Sequence, residues 1–152
     1  MIPYKAYTER YNQIENVLIT KCHVGVPALR MNPLSDFTEF RGLWDTGAMC
    51  SVISSRAAML LNLVPVSKMS INHADGQSVV NVFTISVVLP NNVLFPFIEV
   101  AEGKFTNFDL LIGMDLISKG DFSISNFDGK TTFSFRTPSF EETDFENNTI
   151  IK

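Results

Sequence analysis

The sequence predicts a mostly β domain. Short runs rich in β-branched and aromatic residues recur at Val17 to Thr20, Val79 to Val88, Phe95 to Val100 and Thr131 to Arg136, separated by Pro, Asn, Asp and Gly. Two Asp-Gly dipeptides, Asp75-Gly76 and Asp128-Gly129, lie between such runs, and a tight hairpin turn needs residues of that kind because its central positions take positive φ. Helical patterns are confined to two short stretches.

In chain order, residues 1–16 form an N-terminal segment that mixes Lys5, Glu9 and Arg10 with polar residues, and the domain proper runs over residues 17–138. Ser54-Ser55 is placed to cap a short helix over Arg56 to Leu63. Met69 to Ala74 and Gln77 to Ile85 flank the first Asp-Gly turn as a hairpin. Asp115 to Lys119 is long enough for about one helical turn before Gly120 stops it. Phe122 to Phe127 and Thr131 to Phe135 flank the second turn. Residues 139–152 are acidic and without periodicity from Glu141 onward, the pattern of a mobile tail. Strict alternation is patchy, which fits strands buried on both faces in places and leaves the sheet topology open.

The 152 residues suffice for one domain, which at this size buries roughly 70% of its unfolded surface. With 45% hydrophobic residues, 13 Phe among them, the chain has material for a packed core without staples. A net charge of -4 and scattered Lys and Arg argue against a nucleic-acid partner, whose phosphates require a basic face. Cys22 and Cys50 lack the paired spacing of a zinc or redox site and read as buried free thiols. The N-terminal residues lack the apolar stretch of a secretory signal. The longest apolar run, Val79 to Pro90, is broken by Asn81, Thr84 and Ser86, short of the roughly 20 apolar residues a membrane span needs. The expectation is a soluble cytoplasmic protein with no membrane partner.

The segment that carries chemistry is Gly42-Leu43-Trp44-Asp45-Thr46-Gly47-Ala48. It sets an acid at the end of an apolar strand and just before a glycine that lets another backbone approach. Alone, Asp-Thr-Gly is also an ordinary turn, expected by chance in roughly one chain in fifty. Farther on, Asp109-Leu110-Leu111-Ile112-Gly113-Met114-Asp115-Leu116 supplies an apolar strand, a glycine and a helix start, and the Asp75-Gly76 hairpin lies between the two segments. The sequence shows no internal repeat and no second copy of the Asp-Thr-Gly segment, which weighs against a two-lobed arrangement on one chain.

With these three ordered elements the chain resembles the retropepsin-like aspartic peptidases, in particular small bacterial relatives of the retroviral enzymes, over approximately Val17 to Pro138. The resemblance implies a closed or partly open β-barrel with a flap hairpin and one or two short helices. It implies that Asp45 is the catalytic carboxylate, that Thr46 grips its symmetry mate across a homodimer, and that Gly47 and Ala48 complete the active-site loop. Ala74, Asp75 and Gly76 would form the flap tip over a bound polypeptide, and Ile112-Gly113 would pack beneath the loop. Two positions depart from the retroviral pattern. Met49 stands where those enzymes usually have Asp, and Met114 where they have Arg or Lys, so a charged pair that braces the viral dimer is missing, with Asp115 a candidate to replace part of it.

Peptide hydrolysis by this chemistry needs one ionised and one protonated carboxyl group, and one chain offers one Asp-Thr-Gly, so the reading requires a homodimer. The dyad itself activates the water, and no cofactor or metal is needed. Ala48 offers no hydroxyl to the dyad, so activity should extend toward neutral pH. The expected function is therefore an aspartic endopeptidase; the alternative is a non-proteolytic dimeric peptide-binding module of the same fold, which Met49 and Met114 keep open. His23 and His73 read as strand or surface residues, Trp44 as core, and Phe122, Phe127, Phe133 and Phe135 as core or dimer sheet.

Overall fold

The computed structural model describes residues 3–28, 36–73 and 76–147. Among them ten strands and two short helices occur: β1 Lys5–Arg10, β2 Ile19–Gly25, β3 Thr38–Trp44, β4 Val52–Ser54, α1 Ser55–Leu60, β5 Ser67–His73, β6 Gly76–Val88, β7 Leu94–Gly103, β8 Leu110–Ile112, α2 Met114–Ile117, β9 Asp121–Ser125 and β10 Thr132–Thr137. The mostly β expectation holds. The seven-stranded sheet has the order β2-β3-β8-β4-β7-β6-β5, and β2 also pairs with β6, so the sheet closes into a barrel from which β5 and the first half of β6 extend as an arm. A separate three-stranded sheet, β1-β10-β9, packs against it.

The barrel strands owe their inward faces to alternation. In β2, Thr20, Cys22 and Val24 are buried while Lys21 is exposed; in β3, Phe40, Gly42 and Trp44 are buried while Glu39 and Arg41 are exposed. The antiparallel register sets Cys22 opposite Phe40 and Thr20 opposite Gly42. A side chain at Gly42 would meet Ile112 Cδ1 at 2.8 Å and Cys22 Sγ at 3.1 Å, so glycine there lets the Ile112 and Cys22 side chains pack directly over β3. Along β6 the alternation fails because Val82, Phe83, Ile85, Ser86, Val87 and Val88 are all buried, strand having cover on both faces. A bulge between Ile85 and Val87 breaks the period further, with Phe97 of β7 at φ 55.

β5 and β6 pair from Ser67 opposite Val82 to His73 opposite Gly76, the hairpin that Asp75-Gly76 predicts. Ala74 and Asp75 themselves lie outside the described residues; Gly76 takes φ 129. In the second hairpin Asp128 and Gly129 both have positive φ, 53 and 69, and the Lys130 N–H donates to the Phe127 carbonyl across them. Both helices are shorter or shifted relative to expectation. Ser54 caps α1 by accepting from the Ala57 N–H, but the helix stops at Leu60 because Asn62 turns left-handed at φ 50. α2 begins one residue early, at Met114, because Gly113 is its cap.

The strand β1 comes from the segment set apart as N-terminal, and it pairs with β10 from Lys5 opposite Thr137 to Arg10 opposite Thr132. Its sequence, Lys-Ala-Tyr-Thr-Glu-Arg, is half charged and offers no apolar run to read. Toward the other end, Ser139 and the Phe140 N–H donate to Asp121, and the Phe140 ring packs at a tilt against Tyr4, so residues 139 and 140 are fastened to the small sheet. The core joins both sheets through an aromatic cluster. The Trp44 ring lies 5.0 Å from Phe133 and from Phe135 and 6.0 Å from Phe122. Phe133 and Phe135 are fully buried, worth about 1.5–3 kcal/mol each in apolar burial. Phe127, expected in the core or the dimer sheet, is not in the core of the single chain: it is 72% exposed and opens the turn rather than lying in a strand.

Candidate active site

Asp45 follows directly on β3, and that strand is held on both flanks. β8 runs parallel to it, Gly42 opposite Leu110 and Trp44 opposite Ile112, and then pairs antiparallel with β4 on its other side. The short strand after the Asp109 turn is thus wedged between the two strands that bracket the Asp45 loop. The Asp45 N–H continues the ladder by donating to the Ile112 carbonyl at 3.0 Å, and the Trp44 N–H donates to Leu18 at 2.9 Å. Trp44 itself is buried as expected, its indole N–H donating to Thr20 Oγ1 at 2.8 Å. The Asp45 backbone therefore stands on a rigid base.

Within the loop, the Gly47 N–H donates to Asp45 Oδ1 at 2.8 Å, and the Ala48 N–H donates to the Asp45 carbonyl. Thr46 and Gly47 are exposed, and Ala48 is half-buried. The far side of the loop is fastened from beneath. The first N–H groups of a helix have no partners inside it, and here the Met114 N–H donates to the Ala48 carbonyl at 2.8 Å and the Asp115 N–H to Met49 at 3.1 Å. Gly113 is the point of closest approach: an added Cβ would lie 2.7 Å from the Cys50 carbonyl and 3.0 Å from the Ala48 oxygen. Its φ of -91 shows that lack of room, rather than backbone conformation, demands glycine. Ile112 and Gly113 thus lie against residues 45, 48 and 50.

Sequence reasoning missed Ser51. Its hydroxyl is completely buried, accepts from the Gly113 N–H at 3.1 Å and donates to Asp115 Oδ1 at 2.8 Å; the same Oδ1 also accepts from the Leu116 N–H at 3.1 Å. A lone serine after Cys50 carries no sequence signal of this, because its partners lie far along the chain. Asp109 is a second such residue. Buried at the head of β8, its carboxylate meets Arg56 of α1 and the Arg41 N–H, and its carbonyl accepts from the Ser54 N–H. Met49 is 85% exposed and Met114 partly so. Within the chain, the segments of Met49 and Met114 are joined by backbone hydrogen bonds and by Ser51 with Asp115.

Glu15, Asn16, Val17, Phe122 and Ile124 join Leu43, Asp45 and Thr46 around a cavity of about 350 Å³, within the roughly 300–1,000 Å³ of ligand cavities. A larger hollow of about 570 Å³ lies between Asp121 and residues 139–143, but the Asp121 carboxylate is already engaged by Ser139, Phe140 and Arg136. Cys22 is buried, and burial together with the Asp109 charge pushes its thiol up to about 12. Cys50, expected buried, is exposed, because the loop turns its side chain outward while its carbonyl faces Gly113. His23 lies in β2 and His73 ends β5. Among the described residues no three His, Cys, Asp or Glu side chains converge on a metal position, and no helix is long and apolar enough to cross a membrane.

No protein-family model matches this sequence, and no curated relative matches it. Solved structures do. A retropepsin-like aspartic protease from Rickettsia conorii superposes with a TM-score of 0.56 at 15% identity, over 88% of this chain and 95% of that one. The simian foamy virus protease matches at TM-score 0.43 and 16% identity, over 64% and 91%, and a Legionella pneumophila protein of unknown function at 0.32 and 14%, over 62% and 80%. The rickettsial match spans nearly the whole of both chains, and with the closed barrel, the hairpin arm and the wedged β8 it establishes that this chain has the retropepsin-like fold of the aspartic proteases.

Proposed function

We propose that the protein is an aspartic endopeptidase that works as a homodimer, each copy contributing Asp45. The observation that carries this reading is the mounting of Asp45: an acid at a strand end, one oxygen held by the Gly47 N–H, in a loop braced from beneath by Gly113, Ser51 and α2. That construction fixes one carboxylate, and the second that the chemistry needs would be the Asp45 of another copy; Glu15, which lines the same cavity as Asp45, belongs to a different segment and is not mounted in the loop. Two Asp45 groups brought together by a twofold axis cannot both ionise, so the pair holds one proton, and aspartic-protease dyads are the standard case of such sharing. The ionised member takes a proton from water as the water attacks the peptide carbonyl; the protonated member donates to the carbonyl oxygen. Thr46 would grip the opposite loop. The arm formed by β5 and β6 is the element suited to close over an extended polypeptide, since a two-stranded ribbon is only marginally stable on its own and can move.

Cleavage of a diverse peptide mixture between pH 4 and 7, followed by mass spectrometry, tests the reading against Asp45→Asn. Cuts made by the native protein and absent from the variant are expected. A dimer that binds peptides and cuts none would transfer the fold to the binding-module reading.

A further inference from the structure

We propose that Glu15 makes this site select basic substrates: a Lys or Arg flanking the cut lays its methylene stem along the cavity beside Asp45 and sets its charged head against the Glu15 carboxylate. The proposal rests on the protease reading and adds to it the class of side chain that the site accepts.

The cavity of about 350 Å³ has walls of two kinds. Val17, Leu43, Phe122 and Ile124 make it apolar, and Val17 and Ile124 are still 52% and 43% exposed, so a bound side chain can cover them. Asp45 and Glu15 are its acids, and no Lys, Arg or His is among its lining residues. An apolar wall alone would take Leu, Met or Phe. An acid set into that wall changes the choice. It repels Asp and Glu, and an apolar occupant strips water from it without offering a partner. Lys and Arg satisfy both parts of the wall: they bury an apolar stem while the head keeps a polar partner, and a hydrogen bond between two ions is stronger than a neutral one.

Glu15 is held in place for such a role. Its segment is stapled to the fully buried Thr131, just before β10. The Thr131 hydroxyl accepts from the Glu15 N–H at 2.9 Å, the Thr131 N–H donates to the Gln13 carbonyl at 3.0 Å, and the Thr131 carbonyl accepts from the Tyr11 N–H at 2.9 Å. Glu15 is half-buried, and its Oε1 accepts from Gln13 Nε2 at 3.2 Å. Elsewhere Asp109, Asp121 and Glu39 each meet an Arg or Lys; among the described residues no cation pairs with Glu15. The net charge of -4 adds a field that draws cationic peptides toward the molecule. In a homodimer the twofold axis repeats the cavity, so the preference applies on either side of the cut.

The test uses the full chain and two peptides that are alike except for Lys or Met at the residue flanking the cut, side chains of similar length that differ in charge. For the native protein kcat/KM should favour Lys on the order of tenfold, the worth of one partly buried hydrogen bond between charged groups. Glu15→Gln should bring that ratio to within about twofold of unity, and Glu15→Lys should favour a Glu peptide over the Lys one. Each ratio is read on a single preparation, so a loss of folded protein in a variant leaves it unaltered. A native protein that cuts beside Met as fast as beside Lys, or a ratio that Glu15→Gln does not move, overturns the role of Glu15 and leaves the protease reading standing. A native protein that cuts nothing overturns that reading and the proposal with it.

Discussion

Ser51→Ala removes one oxygen and tests whether a buried hydroxyl holds the Asp45 loop. The hydroxyl makes two bonds, accepting from the Gly113 N–H and donating to Asp115 Oδ1. Alanine leaves the Gly113 N–H buried without an acceptor, a loss of about 1–3 kcal/mol. The bond to the Asp115 carboxylate is charge-assisted, but that group is part-exposed and keeps the Leu116 N–H, so water recovers some of its loss and about 1 kcal/mol remains. The sum is about 2–4 kcal/mol. At roughly 2–4 °C per kcal/mol for a domain of this length, the melting temperature should fall by about 4–16 °C. Peptide cleavage should fall further than stability does, since a shift of about 1 Å at a reacting group costs roughly 100-fold. Thermal unfolding by circular dichroism of Ser51→Ala, Asp115→Ala and the pair gives a double-mutant cycle. A coupling of at least about 0.5 kcal/mol is expected. A melting temperature within about 1 °C of the native value, with no coupling, would refute the bracing argument.

Three further predictions come from separate parts of the molecule. Gly113→Ala forces a methyl against the Cys50 and Ala48 carbonyls, where backbone cannot yield cheaply; a loss of about 1–3 kcal/mol in urea unfolding and a collapse of cleavage are expected, and an unchanged midpoint would mean that the approach is looser than described. Thiol titration should find one reactive cysteine in the native chain, Cys50, and two after unfolding, because burial holds the Cys22 thiol protonated; two fast thiols in the native state would place Cys22 at the surface. The Asp121 carboxyl is held below its usual range by the Ser139 hydroxyl, the Phe140 N–H and Arg136. A depressed carboxyl stabilises the fold fully above its unfolded value near 3.8, and the stabilisation drains away as pH falls below it toward the folded value. Melting curves of the native protein and Asp121→Asn should therefore differ at pH 6 and converge as pH drops below 4; a gap that stays constant contradicts the assignment.

What the sequence by itself determined is whatever local chemistry dictates. The Asp-Gly turns, the Ser54 cap and the runs of β-branched residues each carry their signal within a few positions, and the order Asp-Thr-Gly, hairpin, apolar-Gly-helix was legible because each element is short and contiguous. Only the tertiary structure decided the rest. β1 is half charged and becomes a strand because β10 offers it a ladder. Cys50 and Phe127 are apolar by type and exposed by position, since the loop and turn that hold them are set by backbone contacts elsewhere. Ser51 and Asp109 lack any local mark. They matter because β8, distant in sequence, is wedged between β3 and β4, and a side chain's partners across such a wedge are set by the register of the sheet rather than by its neighbours in the chain.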